Sequence, residues 1–154
     1  MAYVSLDSDQ IKKAHKKHKY TKTQVEQLEK CMDEKTGPLY FMKQFMKIQH
    51  PVKGSIDFEP FPYQERLIES YNDHRFSIAM LPRQTGKTTC ASGFLIWYAM
   101  FRPDSQILIA AHKYAGASDI MSRVRYAYEM LPSWIKAGVN QYNRNSIEFD
   151  NGSK

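Results

Sequence analysis

An apolar run of strand length, Phe76–Leu81, leads within a few residues to Gly86-Lys87-Thr88 and then to a strongly apolar stretch, Lys87–Phe101. Gly-Lys-Thr between a buried strand and an apolar helix is the second half of a phosphate-binding loop. The first glycine of that pattern is absent, because Leu81 stands in its position. The setting still predicts a nucleotide site, and it restricts the chain to folds in which a buried strand feeds directly into a helix.

Each residue type in this loop suits a phosphate ligand for a physical reason. Gly86 lets the main chain approach a phosphate closely and adopt a turn that side chains forbid. The N–H groups near Thr85–Thr89 lie at the positive end of the following helix and can point at phosphate oxygens. Lys87 supplies a point charge for the phosphates, and the Thr88 hydroxyl suits Mg²⁺. The alternative is a plain strand-to-helix turn in which Lys87 is merely exposed.

Three further residues extend the candidate site. Arg83 brings a second positive charge to the loop, and an arginine near a γ-phosphate can stabilise the charge of the transition state. Its alternative role is a salt bridge or a plain surface position. Tyr63 and Gln64 begin the preceding helix, and a glutamine amide matches the N6 and N7 edge of adenine while an aromatic ring can pack on the base. The pair suggests a preference for adenine, with a core position for Tyr63 as the alternative.

The order of the predicted elements favours an α/β fold. From residue 62 onward, apolar strands alternate with helices, which argues for a parallel sheet covered on both faces. Helices are predicted over 8–20, 23–33, 39–49, 62–73, 87–101 and 117–130, and strands over 56–58, 76–81, 106–111 and 146–149. We therefore predict a helical N-terminal region with a basic arm, residues 1–58, and the front part of a P-loop ATPase domain, residues 59–154.

Three local signals refine this outline. Thr23 with Glu26 three residues later is typical of a capping box at the start of a helix. The aromatic and methionine side chains of segment 39–49 are expected to pack in the core or at an interface. Asn151-Gly152 after the last strand is a hairpin signal, so we expect a returning strand and a polypeptide that is longer than 154 residues.

The positive charge of the chain is concentrated near its N-terminus. Residues 1–22 contain six lysines and two aspartates, so they carry +4 of the net charge of +6. Such an arm is suited to nucleic acid or an acidic partner, and a solvated basic helix face is the alternative. Cys31 and Cys90 have no metal-type spacing and are expected to be reduced thiols in a cytosol-like compartment. No apolar run approaches the ~20 residues of a membrane span.

Four runs of this sequence together resemble the ATPase domain of the large terminase subunit of T-even-type tailed bacteriophages. They are HPVKGSIDFEPFPYQERLI, RFSIAMLPRQTGKTT, ILIAAHK and SIEFDNGS. The resemblance covers about residues 38–154, and Arg-Gln-x-Gly-Lys-Thr-Thr without the first glycine is that family's deviant phosphate-binding loop. It implies a helicase-like P-loop fold, binding of ATP and Mg²⁺, and hydrolysis that drives viral DNA into an empty procapsid.

The resemblance also implies roles for individual residues. Lys87 and Thr88 would be the phosphate and magnesium residues, and Arg83 the arginine that acts in cis. Tyr63 and Gln64 lie where the family's adenine motif lies. The remaining nucleotide contacts would come from Gln84, Thr85, Gly86 and Thr89. The family's second acidic motif, an Asp-Glu pair at a strand end, and its nuclease domain are not in these 154 residues. We therefore expect this chain to bind ATP with little or no hydrolysis.

The partners that the resemblance implies are double-stranded DNA, the small terminase subunit and the portal of the procapsid. A homo-oligomeric ring on the portal, a location in the host cell cytoplasm and no membrane contact are expected with them. Two other functions fit the residues. One is a helicase-like ATPase that remodels nucleic acid. The other is a non-catalytic fragment that docks partner proteins and leaves its nucleotide site idle.

Overall fold

The structure of the protein is a computed structural model that describes residues 10–50 and 52–154. It is a small α/β arrangement of helices and two-stranded antiparallel sheets. In chain order the elements are α1 (Lys22–Met32), α2 (Gly37–Phe45), β1 (Lys47–His50), β2 (Gly54–Asp57), α3 (Pro62–Asp73), α4 (Lys87–Phe101), α5 (Tyr114–Glu129), β3 (Val139–Tyr142) and β4 (Ile147–Phe149). None of the helices in the described ranges has the length and apolar character needed to cross a membrane.

Helix α4 is the centre of the packing. It is apolar around its whole circumference, and it contacts α2, α3 and α5. Its Trp97 is buried, and the indole Nε1 donates a hydrogen bond to the main-chain oxygen of Cys31 at 2.8 Å. Because Cys31 belongs to the last turn of α1, this bond ties the N-terminal helices to the core beneath them.

Helix α1 begins with a capping box, but not at the position the sequence predicts. The Thr21 hydroxyl accepts from the Gln24 N–H at 3.3 Å, and the Gln24 side chain accepts from the Thr21 N–H at 3.0 Å. The predicted pair, Thr23 and Glu26, lies two residues inside the helix. Both pairs satisfy the same pattern, and the earlier one caps the helix because the chain enters it there.

The predicted basic helix over 8–20 is wrong for its described part. Residues 10–20 contain turns and irregular chain, while positions 8 and 9 lie outside the described residues. A helix here would place like charges four residues apart, at Lys12 with Lys16 and at Lys13 with Lys17, which is unfavourable. The main chain bonds elsewhere instead, since the Lys12 oxygen accepts from the Val139 N–H at 2.9 Å.

The predicted helix over 39–49 ends earlier than expected. Helix α2 stops at Phe45, and residues 47–50 form β1, which pairs antiparallel with β2. The pairing of Ile48 with Ile56 supplies the cross-strand bonds that a continued helix would lose. The core prediction for this segment is confirmed, because its four apolar stripe residues are buried, namely Phe41, Met42, Phe45 and Met46.

The two apolar runs predicted as central strands are not strands in this structure. Segments 76–81 and 106–111 are irregular, and the described residues contain no parallel sheet. Phe76, Ile78 and Met80 expose 82%, 96% and 93% of their surface. A strand requires a neighbour that accepts and donates its ladder hydrogen bonds, and no described segment lies beside residues 76–81 in that way.

The C-terminal strand pairs with one strand and continues into a tight turn. Strand β4 pairs antiparallel with β3, which precedes it. The turn predicted at Asn151-Gly152 is present, since the Phe149 oxygen accepts from the Gly152 N–H at 3.2 Å and the Phe149 N–H donates to Ser153 at 2.8 Å. Gly152 has φ +86°, as this turn requires. The chain then reaches segment 106–111, where Lys154 donates to Ser105 at 2.9 Å and accepts from Ile107 at 2.8 Å.

Glu34 connects the far ends of two helices. Its main-chain oxygen accepts from the Asn72 side chain at 2.6 Å, near the end of α3. Its carboxylate pairs at 3.4 Å with Arg102, which follows the last residue of α4. The turn between α1 and α2 therefore holds the ends of α3 and α4 together.

Replacing Trp97 with phenylalanine is expected to lower the free energy of unfolding by about 1–3 kcal/mol, because the buried Cys31 oxygen loses its donor. Trp134→Phe is the matched control, since Trp134 is half-buried and its indole N–H has no partner among the described residues. Urea unfolding of both variants measures the difference. Equal losses would contradict a structural role for the Trp97 bond.

Both cysteines are expected to resist modification in the folded protein. They are fully buried, and burial raises the pKa of Cys31 to about 12 and that of Cys90 to about 11. At pH 8 the reactive thiolate is then a fraction of roughly one in a thousand or less. Labelling with a chromogenic disulfide reagent should be slow in buffer and reach two thiols in denaturant. Rapid labelling of either thiol under native conditions would contradict the packing.

Candidate nucleotide-binding loop

The loop that precedes α4 makes a sharp turn through unusual backbone angles. Gly86 caps α4 with φ +75° and ψ +11°, in the left-handed region that glycine adopts freely. Gln84 has φ +65°, which costs a residue with a side chain about 1–2 kcal/mol. The loop therefore holds backbone strain at the place where the sequence predicts a ligand, as functional sites often do.

The main-chain oxygen of Thr85 fixes the loop to the start of α3. The Tyr63 hydroxyl and the Gln64 Nε2 each donate a hydrogen bond to this oxygen at 2.9 Å. The Gln64 Oε1 in turn accepts from the Phe61 N–H at 2.9 Å, and Gln64 is only 6% exposed. The three groups thus form one connected set that joins two segments about twenty residues apart in sequence.

The same set explains why residue 86 is glycine. A Cβ atom at Gly86 would lie 2.5 Å from the Gln64 Nε2, which is too close for any side chain. A larger residue would need to displace Gln64 and to adopt a positive φ as well. Both the backbone angle and the close approach of Gln64 therefore require glycine at this position.

The structure brings Tyr63 and Gln64 to the loop, as the sequence predicts, but by contacts that the sequence does not reveal. Both side chains bind the loop's own main chain. Adenine recognition by Gln64 stays a prediction, and it would require the amide to share or exchange its present bonds. The available signal was the position of Gln64 as the third residue of α3, where such a side chain commonly bonds back to the residue before the helix.

The Lys87 ammonium lies across the mouth of the loop. Its Nζ donates to the main-chain oxygens of Leu81 at 3.1 Å and Pro82 at 3.2 Å. These contacts place the ammonium against the main chain at the position where the usual motif has its first glycine. The Leu81 side chain packs against the core, while its carbonyl group faces the lysine.

The threonines of the loop occupy three different settings. The Thr85 hydroxyl donates to the Pro82 oxygen at 2.9 Å and closes the turn. Thr88 lies half-buried in the first turn of α4, and its hydroxyl forms no hydrogen bond within the described chain. Thr89 lines a cleft of about 430 Å³ between β1, α4 and α5, together with His50, Asp119 and Arg123.

The remaining predicted residues, Arg83 and Gln84, are exposed. Within the described part of the chain, neither Arg83 nor Lys87 forms an ion pair with a carboxylate. The charge at the loop is therefore positive and uncompensated, which favours an anionic ligand.

The described residues hold no cluster of three or more histidine, cysteine or acidic side chains suited to a metal. Magnesium would then be held mainly by phosphate and water oxygens, with Thr88 as the predicted protein ligand.

Replacing Gln64 with methionine is expected to destabilise the protein by about 1–3 kcal/mol, because the Phe61 N–H loses its partner and the Thr85 oxygen loses one of its two donors. Gln44→Met is the matched control, since Gln44 is an exposed residue of α2. Thermal and urea unfolding of both variants give the comparison. If Gln64→Met were as stable as the control, Gln64 would not be the anchor of the loop.

Residues 78–154 match the family model for the N-terminal part of the terminase large subunit of T4-like viruses. The match begins within the irregular segment 76–81 and covers the loop and everything that follows it in this sequence.

Proposed function

The chain belongs to the T4-like family of terminase large subunits, and we propose that it is the ATP-binding part of a viral DNA-packaging motor. Enzymes of that family are generally ATPases that take part in DNA packaging. The observation that carries the proposal is the position of the Lys87 ammonium. Two carbonyl oxygens hold it at the mouth of the loop whose last residue, Gly86, caps α4.

We propose that the phosphates of ATP replace those carbonyl oxygens as partners of Lys87. A phosphate carries a full negative charge, whereas the present partners of the ammonium are neutral carbonyl oxygens, so Coulomb attraction favours the exchange. The N–H groups of Thr85–Thr89 and the positive end of α4 add to the attraction. The Thr88 hydroxyl would serve as the protein's ligand for Mg²⁺, and the ion would neutralise part of the phosphate charge.

Arg83 is proposed as the arginine that acts on the γ-phosphate in cis. Its exposure and its lack of a carboxylate partner within the described chain support this role, because it is able to swing towards a bound phosphate. Gln84 and Thr89 are proposed as further nucleotide contacts. Tyr63 and Gln64 are proposed to read the adenine while they hold the loop.

We propose that these 154 residues bind ATP with little or no hydrolysis. Hydrolysis needs a carboxylate near the γ-phosphate to position the water and the metal. The sequence contains one Asp-Glu pair, Asp33-Glu34, and it serves the turn after α1. The Asp33 carboxylate accepts from the Thr36 N–H and the Thr36 hydroxyl, both at 2.7 Å, and these bonds lower its pKa.

The proposed fold of the ATPase domain is a parallel, helicase-like P-loop sheet that includes segments 76–81 and 106–111. The main-chain bonds of Lys154 support it. Lys154 donates to Ser105 and accepts from Ile107, the residues on either side of Gln106, and this is the bonding pattern between parallel strands. An apolar groove of about 730 Å³ lies beside them, between segment 106–109, α5 and β4. Exposed Leu108 and buried Phe149 both line it, so a strand placed there would cover the apolar surface.

The partners proposed for the motor are double-stranded DNA, the small terminase subunit and the portal of the procapsid. A homo-oligomeric ring on the portal is proposed with them. The proposed location is the host cell cytoplasm, without membrane contact. Membership of the family supports DNA and other phage proteins as partners.

Calorimetric titration of the chain with Mg-ATP, with phosphate release followed in the same samples, tests the nucleotide site. We expect saturable binding and negligible release. Lys87→Ala should weaken the binding of Mg-ATP by roughly tenfold to a hundredfold, because each hydrogen bond to a charged group contributes about 1.5–3 kcal/mol. Lys35→Ala, an exposed lysine outside the loop, is the control and should bind as the parent does.

Two outcomes would contradict the proposal. One is an absence of binding in a chain that circular dichroism shows to be folded, which would favour a docking fragment with an idle site. The other is equal affinity for Mg-ATP in the Lys87→Ala variant and the parent.

A further inference from the structure

Residues 13–22 form an exposed segment between two fixed points, which we call the lysine strap. Its residues 16–21 are irregular chain that lies outside every helix and strand. It carries five exposed lysines, namely Lys13, Lys16, Lys17, Lys19 and Lys22. No aspartate or glutamate occurs between residues 10 and 22.

The first fixed point lies beside β3 and the turn after β4. Lys13 forms a parallel bridge with Val139, and the His15 N–H donates to the Asp150 carboxylate at 3.0 Å. Gly138 is needed here, because a Cβ atom on it would lie 2.9 Å from the Cα of Ala14 and would also collide with Asp150. The start of the strap is thus held in a defined place on the folded protein.

Lys12 strengthens the same fixed point and stands apart from the strap. Its Nζ donates to the Lys136 main-chain oxygen at 2.7 Å, and the Lys136 Nζ donates to the Gln10 oxygen at 2.8 Å. Burial lowers the pKa of Lys12. This lysine therefore serves the packing, whereas the five strap lysines are exposed.

The second fixed point is the start of α1, where the capping box of Thr21 and Gln24 holds the chain. Between the two points, the backbone turns through a positive φ of 56° at His15, an unfavourable angle for a residue with a side chain. The strap is therefore a loop tethered at both ends and not a free tail. Its five like charges share a short segment, although they repel one another.

None of the five strap lysines forms an ion pair with a carboxylate in the described chain. The nearby carboxylate of Asp150 accepts from the main chain of His15. The positive charge of the strap is consequently available to an external polyanion. A basic surface that is merely solvated would need neither the anchor at Lys13 and His15 nor the positive φ of His15.

We infer that the lysine strap binds the phosphate backbone of double-stranded DNA. From Lys13 to Lys22 the chain reaches at most about 30 Å, which matches the rise of roughly nine base pairs. Contacts by lysine to phosphates carry no base information, so the binding is independent of sequence. The inference deepens the proposed function, on which it rests for the choice of DNA as partner. It does not depend on the nucleotide site.

The test is the salt dependence of binding to a fluorescent 20-base-pair duplex, followed by anisotropy in the absence of nucleotide. Each lysine–phosphate contact contributes about 0.9 to the slope of log affinity against log salt. The triple variant Lys16→Gln, Lys17→Gln, Lys19→Gln is therefore expected to reduce the slope by about 2.7. The control is Lys30→Gln, Lys35→Gln, Lys53→Gln, which removes the same charge at exposed positions elsewhere and should leave the slope close to that of the parent.

Three results would overturn the inference. The strap variant and the control variant could reduce the salt slope by the same amount, which would show an effect of net charge alone. The strap variant could keep the parent slope. The strap could bind phosphatidylserine vesicles in preference to the duplex, which would identify a lipid surface as the partner.

Mg-ATP titrations of the same proteins separate this inference from the proposed function. The strap variant is expected to bind Mg-ATP as the parent does, whereas Lys87→Ala is expected to lose Mg-ATP and keep the parent's salt slope for DNA. Thermal unfolding confirms that each variant is folded. A strap variant that lost DNA and Mg-ATP together while still folded would contradict the separate strap site.

Discussion

Helix α4 has apolar side chains on every side, so it is stable only where other elements cover most of its surface. Helices α2, α3 and α5 provide most of that cover, while Tyr98 stays 39% exposed. Burial of a large side chain contributes about 1.5–3 kcal/mol, and α4 buries both Ile96 and Trp97. The candidate nucleotide-binding loop therefore leads directly into a helix that is fixed in the core.

The elements that the sequence predicted well are those whose limits are set by local chemistry. Helix α3 spans 62–73 as predicted, because Pro62 suits its first turn and the helix needs no distant partner to begin. Helix α4 also has the predicted limits, from the loop glycine to Arg102-Pro103. The turn at Asn151-Gly152 follows from a backbone angle that glycine adopts without strain.

The elements that failed depend on partners that a local pattern does not contain. Segments 76–81 and 106–111 have the apolar character of strands, but hydrogen bonds from a neighbouring strand are what make a strand. Residues 47–50 were predicted to continue the helix, but they form a strand because β2 pairs with them. In the candidate site, the positions of Gly86 and Lys87 followed from the motif. The bonds of Tyr63 and Gln64 to Thr85 required knowledge of how two distant segments meet.

The bonds of Glu34 give the loop a mechanical connection to a distant surface. Helices α3 and α4 both begin at the loop, and both end at Glu34. With a rise of about 1.5 Å per residue, these helices span the roughly 20 Å between the loop and the turn that joins α1 and α2. The fold thus joins the candidate nucleotide-binding loop to an exposed turn at the opposite ends of the same two helices.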